Sequence, residues 1–257
     1  MTIAIIPARM ASTRFPGKPL ELINGTPMLG HCYYRTKLSQ KLSEVYIATC
    51  DQEIKEFCEN IGAKCIMTSG DHERASDRVA EAMLEIEKVD QKISEIVVLV
   101  QGDEPMIQPS MIDLAIEPLE NDASVKVSNG YAKIGTLEEF NDPNEVKVVI
   151  DENSDAIYFS REPIPSLKKW DSEVVMHKQV CVIPFRRDYL LEFNKLSQTP
   201  LEKIESIDML RVIEHGQKVR MVEMNYNTFS VDTAEDLEKV KKLMRGDKLI
   251  EKYYIAE

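Results

Sequence analysis

Short apolar, β-branched runs alternate with longer stretches of helical period through most of the chain, a pattern that predicts a parallel sheet with helices on both faces. Thr2 to Ile6 predicts the first strand. A polar loop separates it from a helix over about Pro27 to Leu38, with Pro27 suited to a first helical turn. Val45 to Thr49 and Lys64 to Met67 predict the next strands, with helices over Gln52 to Ile61 and Arg78 to Glu87. The most apolar run, Glu95 to Val100, has the unbroken β-branched character of a central strand buried on both faces. It ends abruptly at Gln101-Gly102-Asp103-Glu104-Pro105, and a polar switch at the carboxyl end of such a strand is where open α/β sheets bind ligands.

From about Asp142 the rhythm changes. Asp-Pro-Asn, Glu-Pro-Ile-Pro and Gln-Thr-Pro clusters separate shorter strands predicted over Val146 to Ile150, Ala156 to Phe159 and Gln179 to Phe185. One helix is predicted over Leu201 to His215, closed by Gly216, followed by a strand over Lys218 to Met224. Asp232-Thr233-Ala234-Glu235-Asp236 opens a final helix, with Thr233 as cap and Asp236 three residues on. With neither a repeat nor a long Gly/Ser linker, the pattern predicts a single domain over 1–257 with a smaller lobe at about 142–200.

Composition narrows the function classes. The chain has 257 residues, 32 Lys+Arg and 44 Asp+Glu, giving a net charge of −12 and a pI near 5.0, which argues against general binding to nucleic acid or an anionic membrane. The apolar runs fall far short of the roughly 20 residues that span a bilayer. Five scattered cysteines, Cys32, Cys50, Cys58, Cys65 and Cys181, lack any CxxC or Cys/His spacing and read as free thiols in the reducing cytoplasm.

Against this acidic background, residues 8–20 carry Arg9, Arg14 and Lys18 and no acidic residue. Directly after a first strand, these cations, the Ser12 and Thr13 hydroxyls and the loop N–H groups suit a polyphosphate; the alternative is a solvated loop with chance charges. Neither a Walker loop nor a GxGxxG fingerprint is present, since Pro19 follows Lys18, so a dehydrogenase reading is weak. Asp103 is placed to bind a hard cation such as magnesium, which takes one or two carboxylates plus phosphate oxygens in nucleotide enzymes. Asp232 is the second candidate, although an Asp beside a helix start also serves as a cap or as a charge favoured by the helix dipole.

Six segments then carry a family resemblance: Ile-Pro-Ala-Arg-Met-Ala-Ser-Thr-Arg-Phe-Pro-Gly-Lys-Pro-Leu (6–20), Val-Gln-Gly-Asp-Glu-Pro-Met-Ile (100–107), Asp-Pro-Asn-Glu-Val-Lys-Val-Val (142–149), Tyr-Phe-Ser-Arg (158–161), Pro-Leu-Glu-Lys-Ile-Glu (200–205) and Val-Asp-Thr (231–233). In this order they resemble the CMP-Kdo synthetases, the 3-deoxy-manno-octulosonate cytidylyltransferases. The resemblance implies a Rossmann-like, glycosyltransferase-A-type nucleotidyltransferase with a mixed sheet, helices on both faces and a small sugar-binding and dimerisation lobe. It further implies a homodimer that transfers CMP from CTP to a 2-keto-3-deoxy sugar acid of lipopolysaccharide biosynthesis, with magnesium and release of pyrophosphate. By motif, Arg9, Arg14 and Lys18 would hold the triphosphate, Gln101 would contact the nucleoside, Asp103 and Asp232 would bind the metal, and Arg161 would face the acidic sugar. Positioning and electrostatics would supply most of the catalysis, with no protein general base required.

Three departures bear on the substrates. Where the family has Ser-Gly-Thr-Glu-Arg, in the loop that approaches the cytosine, this chain reads Arg74-Ala75-Ser76-Asp77-Arg78. Gln179 stands where the family has a sugar-facing histidine, and Asp208-Met209 stands for Glu-Gln, removing a polar contact at Met209. Losing a partner in a buried polar site can change specificity by orders of magnitude, so these departures predict a retained nucleotide half and an altered acceptor pocket. The alternatives are another acceptor (8-amino-Kdo, another acidic sugar or a phosphonate), another nucleotide, or a silent nucleotide-binding protein. His31, His72 and His215 read as helix-face, loop and last-turn residues. His177 is a candidate for the acceptor pocket, and Trp170 belongs to a flap or subunit contact. The run from Val174 to Phe185 offers a strand that would pair across subunits or sit in the core.

Overall fold

The computed structural model describes residues 1–11, 15–168, 174–226 and 229–253; Ser12, Thr13, Arg14 and Trp170 lie outside them. The chain forms two compact units, Met1–Asp113 with Thr228–Glu257, and Leu114–Asn227. Among the described residues, no helix is long and apolar enough to cross a membrane.

The first unit is built on four parallel strands, β1 (Thr2–Pro7), β2 (Glu44–Thr49), β3 (Lys64–Met67) and β4 (Ile96–Val100), in the order β4-β1-β2-β3. Every residue of β4 is buried, which explains its unalternating Ile-Val-Val-Leu-Val sequence. Helices α1 (Met28–Lys37) and α2 (Gln52–Asn60) each pack on two neighbouring strands, whereas α3 (Ala75–Asp90) crosses all four. Right-handed crossovers put α1 and α2 on one face and α3, which returns across the sheet, on the other. The strands and helices predicted for this half are present; α3 runs longer at both ends than its apolar pattern, because its polar first turn and Asp90 extend past the buried stripe.

The C-terminal helix (Ala234–Leu243) belongs to this unit as well. Thr233 and Asp236 form the expected capping box, and Leu237 and Val240 join Ile23, Met28, Val231 and Met244 in one apolar cluster. Beyond the helix the chain is tied to α1 through polar groups. The fully buried Arg35 forms an ion pair with Asp247, donates its Nε to Tyr253 Oη at 3.2 Å and reaches the Ile107 carbonyl at 3.4 Å. His31 lies between Ile23 O, 2.9 Å from Nε2, and Tyr253 Oη, 2.8 Å from Nδ1. Burial keeps its imidazole below its ordinary pKa, so Nε2–H donates to the carbonyl and Nδ1 accepts from the phenol.

The second unit carries a mixed sheet. Its strands are β5 (Ser128–Lys133), β6 (Lys147–Ile150), β7 (Ala156–Ser160), β8 (His177–Val180) and β10 (Arg220–Glu223), ordered β10-β5-β8-β6-β7, with only the β10–β5 pair parallel. The single strand expected over Gln179 to Phe185 is two, β8 and β9 (Val182–Arg186), divided at Cys181. Since β8 pairs with β5 on one edge and β6 on the other, it offers no free edge for another subunit. The single helix expected over Leu201 to His215 is also two, Pro200–Glu205 and Met209–Glu214, because Ser206 adopts a left-handed conformation with φ 55°. Arg211 staples the two with a paired bond to the buried Glu202 carboxylate, Nε to Oε2 at 2.8 Å and Nη2 to Oε1 at 2.5 Å. Gly216, with φ 72°, ends the second helix as its sequence position predicts.

The Arg35–Asp247 pair leads to a stability prediction. Burial alone would raise the Asp247 pKa, but the Arg35 hydrogen bond and charge, with the Leu249 N–H, outweigh it and hold the carboxyl below its ordinary value. The pair's contribution is therefore complete above the unfolded carboxylate range near 4 and is lost as pH falls through the lowered folded value. Asp247→Ala strands a buried guanidinium, and its expected cost is about 2–3 kcal/mol, between the values for exposed and fully buried pairs. Urea unfolding of both proteins at pH 7 and below pH 4 checks this, with the difference between them shrinking in acid.

Candidate functional site

The polar loop after β1 is anchored to the end of β2. Ala8 N–H donates to Ala48 O at 2.9 Å, and Met10 N–H donates to Asp51 Oδ2 at 2.7 Å. Gly17 takes φ 77°, a left-handed turn that only glycine adopts without strain, and opens the short 3-10 turn Lys18–Leu20 with Pro19 fixing its second position. This turn aims Lys18 inward. Its Nζ lies 2.8 Å from Asp103 Oδ2, 2.7 Å from the Val231 carbonyl and 3.6 Å from Asp232 Oδ1, with the side chain only 12% exposed.

Each partner is set by its own backbone. Asp103 follows β4 through Gly102, where a Cβ would lie 3.1 Å from Pro7 O, so glycine lets the loop pass close to the end of β1. Asp232 precedes the C-terminal helix and follows Val231, which is fully buried. Val231 N–H donates to Asp103 O at 2.9 Å and fastens the two carboxylate-bearing segments together. Lys18, Asp103 and Asp232 therefore come together as the sequence expects. The Val231 carbonyl, which no sequence signal marks, is the third partner of the ammonium.

Arg9 is exposed on the same loop, and Gln101 is half-buried just past β4. The 74–78 segment forms the first turn of α3: Arg74 takes the N-cap position, Ser76 is buried, and Arg78 is buried with its guanidinium on the Thr68 hydroxyl and, at 3.6 Å, on Cys50 Sγ. Cys50 and Asp51 lie together at the end of β2, so the Arg78 cluster and the Arg9 loop share one anchoring point.

A hard divalent cation fits the Asp103 and Asp232 pair. Both offer carboxylate oxygens, the donor type a hard cation takes, and both lie within 3.6 Å of one cationic nitrogen. Among the described residues, no group of three or more His, Cys, Asp or Glu side chains forms a cage that would hold a metal without such a ligand.

In the second unit, the structure gives Arg161 internal partners. Its Nε donates to Glu205 O at 2.8 Å and its Nη1 to Pro143 O at 2.9 Å, so two of its three guanidinium nitrogens are engaged within the unit. Glu205, quoted in a motif but given no role by sequence, accepts from Arg161 N at 2.8 Å, Ser160 Oγ at 2.8 Å and Tyr158 Oη at 3.2 Å. Lys147, fully buried, caps the carbonyls of Asp142 at 2.8 Å, Glu145 at 2.7 Å and Arg161 at 2.5 Å, and burial lowers its pKa. The Gln179 amide donates to buried Asn129 Oδ1 at 2.5 Å. Met209 is 1% exposed, in the core rather than at a surface, while Asp208 is half-buried at the start of its helix. His177 packs edge-on against Tyr131 with ring centroids 4.8 Å apart, and burial lowers its pKa.

The parallel α/β sheet gathers a lysine and two aspartates at its loops, and the sequence matches the cytidylyltransferase family over residues 3–220, which places the chain among the nucleotidyltransferases. The chain is 44% identical over 253 residues to the 3-deoxy-manno-octulosonate cytidylyltransferase of Geobacter metallireducens, covering 94% of this chain and 97% of the relative. It is 43% identical over 252 residues to that of Geobacter sulfurreducens, covering 94% and 98%. A solved structure of CMP:2-keto-3-deoxy-manno-octonic acid synthetase complexed with CTP superposes with TM-score 0.88 at 36% identity, covering 96% of this chain and 99% of that one. A cytidylyltransferase from Leptospira borgpetersenii, at TM-score 0.58 and 17% identity over 99% of this chain and 88% of its own, shares the fold. The chain belongs to the 3-deoxy-manno-octulosonate cytidylyltransferase family.

The Glu205 network is open to direct test. Burial would raise the Glu205 pKa, but the Arg161 N–H and the Ser160 and Tyr158 hydroxyls outweigh it and lower it. Glu205→Gln replaces charge-assisted bonds with neutral ones and should cost about 1–2 kcal/mol. Hydrogen exchange should become faster at the Arg161 amide and unchanged in β1 and β4; equal exchange at Arg161 would contradict the assignment.

Proposed function

We propose that this protein transfers CMP from CTP to a 2-keto-3-deoxy sugar acid of the 3-deoxy-manno-octulosonate type and releases pyrophosphate. The observation that carries the reading is Lys18 held between Asp103 and Asp232 at the loops after β1 and β4, in a chain of this family. Support for the acceptor comes from relatives of that name at 43–44% identity. Gln179 bonds Asn129 and Met209 is buried in the core, so both departures have a structural role that needs no change of acceptor.

In this mechanism the anomeric hydroxyl of the sugar attacks the α-phosphorus of CTP in line, a new C–O–P bond forms, and the bond to the β-phosphate breaks. The hydroxyl proton passes to solvent, and no side chain is assigned as its acceptor. Arg9 and Lys18 bind and orient the triphosphate, placing positive charge where the departing pyrophosphate gathers negative charge. Asp103 and Asp232 would hold magnesium, which when bound neutralises phosphate charge and polarises the reacting phosphoryl group. Arg74, Ser76, Arg78 and Gln101 line the nucleoside side of the reading, and Arg161 offers Nη2 to the sugar carboxylate. Arg14, Ser12 and Thr13 complete the triphosphate loop in sequence. The free cysteines suit the reducing cytoplasm, and the homodimer implied by the resemblance belongs to this proposal too.

Pyrophosphate release with magnesium, the four nucleoside triphosphates in turn, and Kdo, 8-amino-Kdo, other 2-keto-3-deoxy acids or phosphonates as acceptors tests the reading. CTP with Kdo should give the fastest turnover. Asp103→Asn should reduce kcat on the order of 100-fold or more while the protein stays folded, as its circular dichroism reads. Turnover confined to another acceptor, or unaffected by Asp103→Asn, overturns the corresponding part.

A further inference from the structure

The position of Lys18 bears on the order in which the site fills. Its ammonium donates to Asp103 Oδ2 at 2.8 Å and to the Val231 carbonyl at 2.7 Å, and stands 3.6 Å from Asp232 Oδ1 as an ion pair, so it is held entirely by groups of the protein. The three side chains are largely enclosed, at 12%, 29% and 18% exposure for Lys18, Asp103 and Asp232, so their charges are only partly screened. The ammonium thus sits against Asp103 Oδ2 and beside Asp232 Oδ1, between the two carboxylates proposed to hold the divalent ion. A lysine head and a metal ion cannot both occupy them without like-charge repulsion.

We propose that Lys18 is an internal counter-ion that blocks divalent-metal binding to Asp103 and Asp232 until a polyphosphate draws its ammonium away, so that metal enters with the nucleotide rather than before it. The stem of Lys18 allows this movement. Its backbone is fixed by Gly17 and Pro19, but four rotatable methylenes let the head exchange a carbonyl and a carboxylate for phosphate oxygens without a change of main chain. In the free protein the lysine also prevents two partly buried carboxylates from repelling each other, which keeps the pocket arranged for the incoming metal–nucleotide pair. This inference rests on the metal role given to the two aspartates under the proposed function.

The test is Mn²⁺ binding without nucleotide, followed by the loss of the free-ion signal in electron paramagnetic resonance. Lys18→Gln removes the charge while keeping an amide donor for the Val231 carbonyl, and Lys18→Met removes both. Each should bind Mn²⁺ about tenfold or more tightly than the wild type, the scale expected for removing one competing charge. Each should also gain thermal stability on adding Mn²⁺ alone, with little gain in the wild type. Adding Asp103→Asn to Lys18→Gln should abolish the gain. Equal Mn²⁺ affinity in wild type and both variants, weakened in each by Asp103→Asn, overturns the gating role while leaving the metal role intact. Binding that Asp103→Asn never weakens, or no binding in either Lys18 variant, overturns the metal role itself.

Discussion

The contact on which the site depends is the one that Lys18 makes with two segments distant in sequence. It joins residue 18 to residue 103, 85 positions on, and to residue 231, 213 positions on. Closing such loops carries an entropic cost that one ammonium cannot offset, so the geometry must be set by the elements beneath. It is set by a parallel sheet whose neighbouring strands β1 and β4 end side by side, because in such a sheet the loops leaving the carboxyl edge converge without further design. The charge pattern then follows from burial: two aspartates at that edge, largely removed from water, require a cation, and the loop after β1 supplies it.

Support for the third segment comes from hydrophobic packing at the far end of the chain. Val231 sits among Ile23, Met28, Leu237, Val240 and Met244, so the residue before Asp232 is a core residue and the aspartate inherits its rigidity. Arg35 reinforces the arrangement by tying the chain after that helix to α1 and to the Ile107 carbonyl, four residues past Asp103. Stability and site geometry therefore share their structural basis.

The legibility of these features in sequence follows the range of the forces involved. β1 through β4 and their helices were readable because parallel strands buried on both faces are continuously apolar, and capping by Thr233 and Asp236 is local chemistry. The second unit was harder for physical reasons. β5, Ser-Asn-Gly-Tyr-Ala-Lys, lacks a strand pattern, and its glycine exists for packing: a Cβ at Gly130 would lie 2.9 Å from Met224 Cε and 3.2 Å from Val180 Cβ. Helix Pro109–Asn121 carries Pro118 in its interior, which reads as a breaker. The break at Ser206 depends on a left-handed residue with no glycine to announce it. In the site, cations and carboxylates were legible by type and position, whereas a carbonyl ligand such as Val231 O and a positioning carboxylate such as Glu205 have no sequence signature, since every residue has a carbonyl and Glu is common.

The polar groups of the second unit close on one another around Arg161. Lys147 spends its whole donor capacity on three carbonyls, one of them Arg161's own, and Glu205 takes the Arg161 amide while returning a carbonyl to its guanidinium. Such a closed network costs much to break and little to keep, because each buried polar atom already has its partner. It fixes the Arg161 main chain through Glu205 and ties two of its three guanidinium nitrogens to the Glu205 and Pro143 carbonyls, so the orientation of the guanidinium is set by the fold before any further group is considered.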